Sequence, residues 1–524
     1  MRHEFMVQRS ESPPPSEPER TNVPPGPGAP VDFKPLTRAE RRDLFFRIFP
    51  SIMIPMYLAI GDQTTLASAL PAIVGSLGEA ERVSWIMASY LVANTIAAPV
   101  YGYLGDILGR RKLMFVALGI YIAAGVFCSL APNATFLIIG RLVQGFGGGG
   151  LMGLSQALVG EAVPARERGN FQGYLAGIGV AATAIGPVLG GFITEHFGWR
   201  YVFLFNVPIA IAAIFLTMRI AGRPGPRAKG WRFDVQGLLL FCAFILPVMF
   251  ALERAQRLTA ESVPVVAALF GLAAVALVVL IRHEKSVETP LLPIQLFRLR
   301  AIWMSNLMVL CQGAMLTSLI TFLPIYLRVL RGGSPSEAAW LLLPITFGLS
   351  IGSIVSGRLM SFTGRTMVIP SITLVPGSLS LIDFAFASPG MSLGHMAVQL
   401  GITAILLGSV MSVVQVSIQS AAGPHMLGAA AGSVQFSRSV GAAFGTALFA
   451  TALFATLTIR DPAAADYFTK ILDVGPQVLD ALEPARRQTI RDEIQTAFQF
   501  GFMTAASFTV LCLVLAWINP QRRV

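Results

Sequence analysis

The sequence predicts an all-α protein that crosses a membrane many times. Of its 524 residues, 54% are hydrophobic and only 13% are charged, and the mean hydropathy is +0.66. Soluble globular proteins carry about 25% charged residues. Because so few charges cannot cover the surface of a water-soluble protein of this size, lipid is expected to cover most of it. The same composition excludes disordered, collagen-like and small disulfide-rich proteins.

Fourteen apolar runs have the length of a membrane crossing, which needs about 20 mostly apolar helical residues. Glu253 and Arg254 mark the turn between the seventh and eighth runs. The predicted spans are 49–72, 84–105, 113–131, 135–158, 170–192, 200–220, 234–252, 262–281, 302–326, 337–357, 366–387, 394–416, 428–456 and 495–518.

The segments around these spans define the predicted domains. Residues 1–36 are rich in Pro, Ser and Glu, and such a segment buries too little apolar surface to offset the entropy lost on ordering, so a disordered cytoplasmic tail is expected. A capping box from Thr37 to Glu40 opens a basic juxtamembrane helix over 37–48. An amino-terminal six-helix bundle (49–220), a linker with an extra helix pair (221–300) and a carboxy-terminal six-helix bundle (301–524) follow. The outer loop 457–494 is expected to form short helices.

The net charge of +11 lies mostly in short segments between apolar runs, which indicates orientation signals rather than nucleic-acid binding. Fifteen basic residues fall in short loops on the amino-terminal side and six in the opposite short loops. The basic side of a membrane protein faces the cytoplasm. Both termini are therefore expected to be cytoplasmic.

An internal repeat relates the two halves. Gly102-Tyr-Leu-Gly-Asp106-Ile-Leu-Gly-Arg follows the second span, and Gly357-Arg-Leu-Met-Ser361-Phe-Thr-Gly-Arg follows the tenth. Gly, Leu, Gly and Arg coincide, whereas Ser361 stands where the first copy has Asp106. Parallel repeats of this kind are typical of transporters.

Two ionisable residues inside spans are candidates for chemistry, since each costs at least about 2.5 kcal/mol to insert. Asp62 lies near the middle of the first span and Arg141 lies in the fourth. Burial favours the uncharged form of a carboxyl group, so Asp62 could load and unload a proton, attract a cationic substrate, or serve only as a structural hydrogen-bond acceptor. A permanently charged arginine should face a wet cavity or a carboxylate, and Asp62 is the expected partner.

Several enzyme signatures fail on inspection. Gly145, Gly147 and Gly150 satisfy the GxGxxG spacing, but no strand precedes them, so close helix packing explains them better than dinucleotide binding. No Walker A loop is present, and His283-Glu284 lacks the second histidine of a zinc site. We therefore expect no enzyme, no metal and no cofactor, and any energy must come from an ion gradient.

The fifth span contains many small residues and one proline. Gly186-Pro187 removes a helical hydrogen bond and predicts a kink, and the glycines allow a neighbouring helix to approach closely. Such a span suits a hinge and seal in a transporter, although ordinary small-residue packing is the alternative. The glycines of this pattern are Gly173, Gly177, Gly179, Gly186, Gly190 and Gly191.

Together these motifs resemble the major facilitator superfamily, and specifically its fourteen-helix drug:proton antiporter branch of the EmrB/QacA type. The first repeat copy is similar to the loop motif of that family, and the segment from Leu137 to Gly145 is similar to the motif whose arginine is implicated in proton transfer. The fifth span resembles the antiporter motif, with Ala182 in place of one glycine. The loop motif matches at Gly102, Leu104, Asp106, Gly109, Arg110, Arg111 and Lys112.

The resemblance implies a major facilitator fold with helices arranged 6+2+6. It also implies that Asp106 locks an inner gate by hydrogen bonding to a helix end of the second half and by pairing with nearby arginines. Asp62 and Arg141 would couple transport to protons. Further candidates for lining the central cavity are Gln63, Trp85, Tyr90, Asn94 and Gln144.

The function expected from these features is proton-coupled efflux of amphipathic drugs or toxic small molecules across a bacterial inner membrane by alternating access. A periplasmic adaptor protein is an expected partner through the resemblance alone. A dedicated metabolite or siderophore exporter or importer of the same fold is one alternative. A non-transporting membrane receptor is another, and it would tolerate neutralisation of Asp62.

Overall fold

The computed structural model describes residues 38–78, 82–219, 233–255, 262–287, 290–291, 294–333, 335–474 and 476–523. The predicted disordered tail 1–36 and the part of the linker at 220–232 lie outside the described residues. The α-helices are α1 (Arg38–Leu77), α2 (Val83–Leu108), α3 (Arg110–Ser129), α4 (Ala134–Ala162), α5 (Arg168–Phe197), α6 (Arg200–Thr217), α7 (Val235–Ala255), α8 (Ser262–Ser286), α9 (Ile294–Arg298), α10 (Arg300–Arg331), α11 (Pro335–Thr363), α12 (Val368–Ala387), α13 (Leu393–Ala422), α14 (Leu427–Arg460), α15 (Pro462–Val474) and α16 (Pro484–Ile518).

Each of the fourteen predicted spans falls on one of the long helices, and α9 and α15 are the two additional short ones. Twelve of the long helices are apolar enough to cross a membrane by length and composition. The other two, α1 and α2, carry polar groups such as Asp62 and Asn94 along their length. The predicted all-α membrane fold is confirmed, while the count of fourteen crossings stays a prediction.

The start of the chain differs from the prediction in one respect. The basic segment 37–48 and the first span were expected as separate helices, yet α1 runs without a break from Arg38 to Leu77. Pro50 and Pro55 lie inside this helix. Phe45 and Phe49 fix its first turns against the bundle, because their rings contact Phe171 and Tyr174 of α5.

Two apolar cores hold the two bundles together. Helices α1 to α6 bury residues such as Met56, Leu118 and Leu154, and helices α10 to α14 together with α16 bury a second core around residues such as Phe449 and Phe498. The extra helix α7 packs on α8 and also contacts α2 and α14. It therefore lies over the seam where the two bundles meet.

The bundles meet where Asp106 lies, and we call this the inner end and the opposite end the outer end; their assignment to the cytoplasm and the outside stays a prediction. Gly102 of α2 packs on Gly428 of α14, and Gly357 of α11 packs on Gly169 of α5, so closely that a side chain at any of the four would overlap the opposite backbone. Small residues allow such close helix contact. The hydrogen bonds described between the bundles all lie in this inner half.

The segment predicted as an outer loop with short helices contains α15 and the first turns of α16. Phe468 of α15 contacts Phe454 of α14 and Phe498 of α16 through their ring edges. Arg460 at the end of α14 pairs with Glu493 at 2.5 Å. These contacts hold the segment against the outer end of the carboxy-terminal bundle.

Candidate functional site

Asp62 is the centre of a polar cluster inside the amino-terminal bundle. Asp62 is 2% exposed, and its Oδ2 forms a salt bridge with Nη1 of Arg141, which is 0% exposed. Its other oxygen, Oδ1, accepts hydrogen bonds from Tyr121 Oη at 3.1 Å, Gln144 Nε2 at 3.1 Å and Asn206 Nδ2 at 3.3 Å. Three helices besides α1, namely α3, α4 and α6, therefore hold this carboxylate, as expected for a charge that is buried only with its partners.

Arg141 is held from three sides. Its Nη1 also donates to Gln144 Oε1 at 2.8 Å, its guanidinium carbon lies 4.2 Å from the centre of the Tyr90 ring, and its Nε points to the carbonyl of Ile86 at 3.5 Å. Its Nη2 has no hydrogen-bond partner among the described residues. Stacking on an aromatic face and pairing with a carboxylate are the interactions that suit the planar guanidinium.

Glycines of α4 make this arrangement possible, because they let α2 approach closely. A Cβ atom at Gly145 would lie 2.8 Å from Tyr90 Cα, and one at Gly149 would lie 3.0 Å from Asn94 Cα. Gly148 leaves room for the phenol group of Tyr90, which donates to the carbonyl of Ala59 at 3.2 Å. The glycine run therefore serves helix packing, as the sequence indicates.

The sequence predicted the Asp62–Arg141 partnership, and the structure brings the two together. Two other members of the cluster, Tyr121 and Asn206, were not predicted as site residues. Each is a polar residue within an otherwise apolar helix, which is the signal that could have found them. Whether the cluster carries protons stays a prediction.

A second polar cluster joins the two bundles at the inner end. Both oxygens of Asp106 accept hydrogen bonds from the first turn of α14, from Gly428 N and Ala429 N, each at 2.9 Å. Arg110 bridges Asp106 and Glu161 at 2.5 Å each. An anion at a helix amino terminus is favoured by the helix dipole and by the unpaired N–H groups. The geometry is that expected of an inner gate; its gating role stays a prediction.

The other residues of the loop motif shape the turn between α2 and α3. Gly109 has φ +95°, a conformation that side chains rarely adopt, and it links the two helices. Arg111 Nη2 donates to the carbonyl of Met218 at the end of α6 at 2.8 Å. Glu161 at the end of α4 was not predicted, and nothing in the sequence around it indicates that it meets Arg110.

The second repeat copy also contacts the opposite bundle, but through different polar groups. Ser361, which replaces the aspartate, leaves its hydroxyl buried and without a hydrogen-bond partner among the described residues. Instead Arg166, just before α5, donates to the carbonyls of Ser361 and Phe362 at 3.1 and 3.2 Å. A cation near a helix carboxy terminus is the counterpart of an anion at an amino terminus. The repeat is thus symmetric in packing and opposite in charge.

The glycines of the fifth span divide α5 into two contact regions. In the inner part, a Cβ at Gly173 would lie 2.8 Å from Ile354 Cα of α11. In the outer part, Gly186 and Gly190 face Thr64 and Thr65 of α1. Gly177 and Gly191 meet nothing within 4 Å, and α5 continues through Pro187 as one helix. Helix α5 therefore contacts the opposite bundle at one end and the Asp62 helix at the other.

The candidate cavity residues are placed in different surroundings. Tyr90, Asn94 and Gln144 are buried inside the amino-terminal bundle, and Gln63 is half-buried. Trp85 lines a cavity between α2, α7, α10 and α14. A role for these residues in binding substrate stays a prediction.

Known proteins resemble this chain in sequence and in fold. A sequence model of the Major Facilitator Superfamily matches residues 52–446. The multidrug transporter protein MdtP of Bacillus subtilis is 30% identical over 403 residues, or 76% of this chain and 73% of that protein. An uncharacterised MFS-type transporter of Mycobacterium tuberculosis is 30% identical over 486 residues, or 92% of this chain and 70% of the relative. The human organic anion transporter MFSD10 shares the fold with a TM-score of 0.62 at 14% identity, covering 90% of this chain and 99% of its own.

The helices, the packed bundles and these relatives define a multi-pass membrane protein that transports small molecules and is not an enzyme. The chain belongs to the Major Facilitator Superfamily. Its resemblance to the multidrug-efflux members of that family is confirmed by the relatives.

Proposed function

We propose that this transporter exports amphipathic drugs or toxic small molecules and that Asp62 couples export to proton entry. The observation that carries the proposal is the buried salt bridge between Asp62 and Arg141, with Tyr121, Gln144 and Asn206 around it. The stability of the fold does not explain why a charge pair is buried inside one bundle. Well-packed apolar residues of similar volume often stabilise a protein as much as a buried ion pair does.

Protonation of Asp62 would change the balance of charge in the amino-terminal bundle. Removing one partner of a buried ion pair costs about 3–5 kcal/mol, since the other charge is left unpaired. One proton that enters down a potential of about 100 mV supplies about 2.3 kcal/mol, and a pH gradient adds to this. The two quantities are comparable, so proton entry could drive a rearrangement of the helices around Arg141.

Two paths of contact lead from this cluster to the inner end. Helix α4 carries Arg141 near one end and Glu161 at the other, and Glu161 holds Arg110 beside Asp106. Helix α1 carries Asp62 and packs on α5, whose inner part packs on α11 of the opposite bundle. A shift of α4 or α1 would therefore act on the contacts that hold the inner end closed.

The proposal includes the direction of transport and the membrane in which the protein lies. The distribution of basic residues favours cytoplasmic termini, and the bacterial inner membrane follows from the resemblance to the drug:proton antiporter branch alone. With this orientation, Asp62 would exchange protons with the outside when the inner end is closed. An adaptor protein in the periplasm would extend the export path. No other cofactor is required by this mechanism, because the proton gradient supplies the energy.

Accumulation of a fluorescent cationic dye in energised cells tests the proposal. Cells that express the native chain should accumulate less dye than empty cells, a protonophore should abolish the difference, and Asp62→Asn should behave like the empty cells. Asp466→Asn is the matched control, because Asp466 is exposed on α15. Dye export that survives Asp62→Asn at equal expression contradicts the coupling role. No difference from empty cells would favour a dedicated metabolite transporter or a receptor.

A further inference from the structure

A cavity of about 180 Å³ lies where both bundles meet the extra helix. Its walls come from Trp85 and Leu91 of α2, Phe250 and Glu253 of α7, Thr317 of α10 and Thr446 of α14. Trp85 lies in the first turn of α2 and Glu253 in the last turn of α7, so the cavity lies in the outer half of the molecule. The contacts of the inner gate are at the other end.

The chemistry of the walls suits one kind of ligand. Glu253 is the only charged residue among the described residues that line the cavity, and the other walls are apolar or aromatic apart from two threonines. The Trp85 and Phe250 rings lie 5.0 Å apart at an angle of 41°. Aromatic faces and a carboxylate together attract organic cations, by cation–π contact and by charge.

Glu253 is available to such a ligand. It makes no salt bridge or hydrogen bond with any residue in the part of the chain that the structure describes. The neighbouring Arg254 is exposed and attracts Glu253 without forming a salt bridge with it. A half-buried carboxylate beside apolar walls loses part of its hydration, and a bound cation would replace that loss.

The cavity is also close to the Asp62 cluster. Trp85 and Ala88 line it, while Ile86, between them in sequence, turns its carbonyl towards Arg141 Nε at 3.5 Å. Only helix α2 therefore separates the cavity from the buried arginine. Because the walls come from both bundles and from α7, rocking of the bundles would change its width.

We infer that this cavity binds a monovalent amphipathic organic cation, with Glu253 as its counter-charge and Trp85 and Phe250 as its aromatic wall. Drug-sized sites occupy about 300–1,000 Å³, so the cavity receives a small cation, or the charged end of a larger one. The inference concerns binding to the protein with its inner end closed, and it does not require the proton coupling proposed above.

Binding of benzyltrimethylammonium to the purified full chain in lipid nanodiscs tests the inference by calorimetry, without a proton gradient. Glu253→Gln should weaken binding at least about tenfold, and Glu253→Asp, which keeps the charge, should remain within a few-fold of the native protein. Glu195→Gln is the matched control, because Glu195 is exposed at the outer end of α5 and does not line the cavity. Thermal unfolding checks that each variant is folded.

Two results would overturn the inference. The first is unchanged binding in folded Glu253→Gln. The second is loss of binding in Asp62→Asn with no loss in Glu253→Gln, which would move the cation to the buried cluster. If dye export is insensitive to Asp62→Asn while Glu253→Gln still weakens binding, the proposed coupling fails and the cation site stands.

Discussion

Neutralising Asp106 should open the inner end. In Asp106→Asn, the amide nitrogen cannot accept a hydrogen bond, so one of the bonds from Gly428 N and Ala429 N is lost and the other becomes a neutral bond. Hydrogen bonds to charged groups contribute about 1.5–3 kcal/mol and neutral ones about 1 kcal/mol. The closed arrangement should therefore lose about 3 kcal/mol relative to the open one, which is a shift of about 100-fold in their equilibrium.

The accessibility of a cysteine placed in the seam measures this shift. Ser350 is buried and donates from its hydroxyl to the carbonyl of Ala176 in the opposite bundle at 3.0 Å, so Ser350→Cys places a thiol of similar size between the bundles. The native cysteines would be replaced by alanine. A membrane-impermeant maleimide added to inside-out vesicles should label this thiol about 100-fold faster in Asp106→Asn, because the labelling rate follows the open population.

The control for this measurement is Asp383→Asn, which makes the same chemical change at an exposed position of α12 in the carboxy-terminal bundle. Its labelling rate should equal that of the parent. If Asp106→Asn also labels at the parent rate, Asp106 does not hold the inner end closed and the reasoning from the α14 amino terminus is refuted.

Two further predictions concern the amino-terminal bundle. Gly145→Ala should lower the stability of the purified protein by about 1–3 kcal/mol, because the added methyl group overpacks against the Tyr90 backbone. Gly177→Ala is the control and should leave the stability unchanged, because nothing lies within 4 Å of that position. Equal melting temperatures for the two variants would contradict the close α2–α4 contact. Tyr121→Phe removes one hydrogen bond to Asp62 and should change the pH dependence of dye export without abolishing it. An unchanged pH profile would contradict a role for the Tyr121 hydroxyl in the Asp62 cluster.

The helices could be predicted because each crossing needs a long apolar run, and the runs are separated by charged or glycine-containing turns. The start of α1 could not be placed in the same way. A polar, basic helix and an apolar span differ in composition but not in backbone conformation. The sequence therefore indicates two segments where the chain forms one helix from Arg38 to Leu77.

The Asp62–Arg141 pair could be predicted from the free energy of burying charges alone. Two opposite charges inside the membrane are strongly unfavourable unless they pair with each other. Tyr121 and Asn206 could not, since a single polar residue in an apolar helix does not reveal which neighbour it faces. The same limit applies to Glu161. Its contact with Arg110 depends on how α4 ends beside α3, which is a property of tertiary packing.

The repeat indicated two related halves but not how they touch. That Gly102 meets Gly428 and Gly357 meets Gly169 follows from which helices face each other across the seam, and the spacing within one motif carries no such information. The exchange of Asp106 for Ser361 was visible in the sequence. Its compensation by Arg166, which binds carbonyls at the end of α11, became clear only from the assembled bundles.

Proton flux through the purified transporter tests the central claim most directly. In proteoliposomes that contain a pH-sensitive dye, addition of an amphipathic cationic substrate should drive proton movement in the direction opposite to the substrate for the native protein. Asp62→Asn should abolish the substrate-driven proton movement, and Asp466→Asn should preserve it. Substrate-driven proton movement of native size in Asp62→Asn would contradict the assignment of Asp62 as the coupling carboxylate.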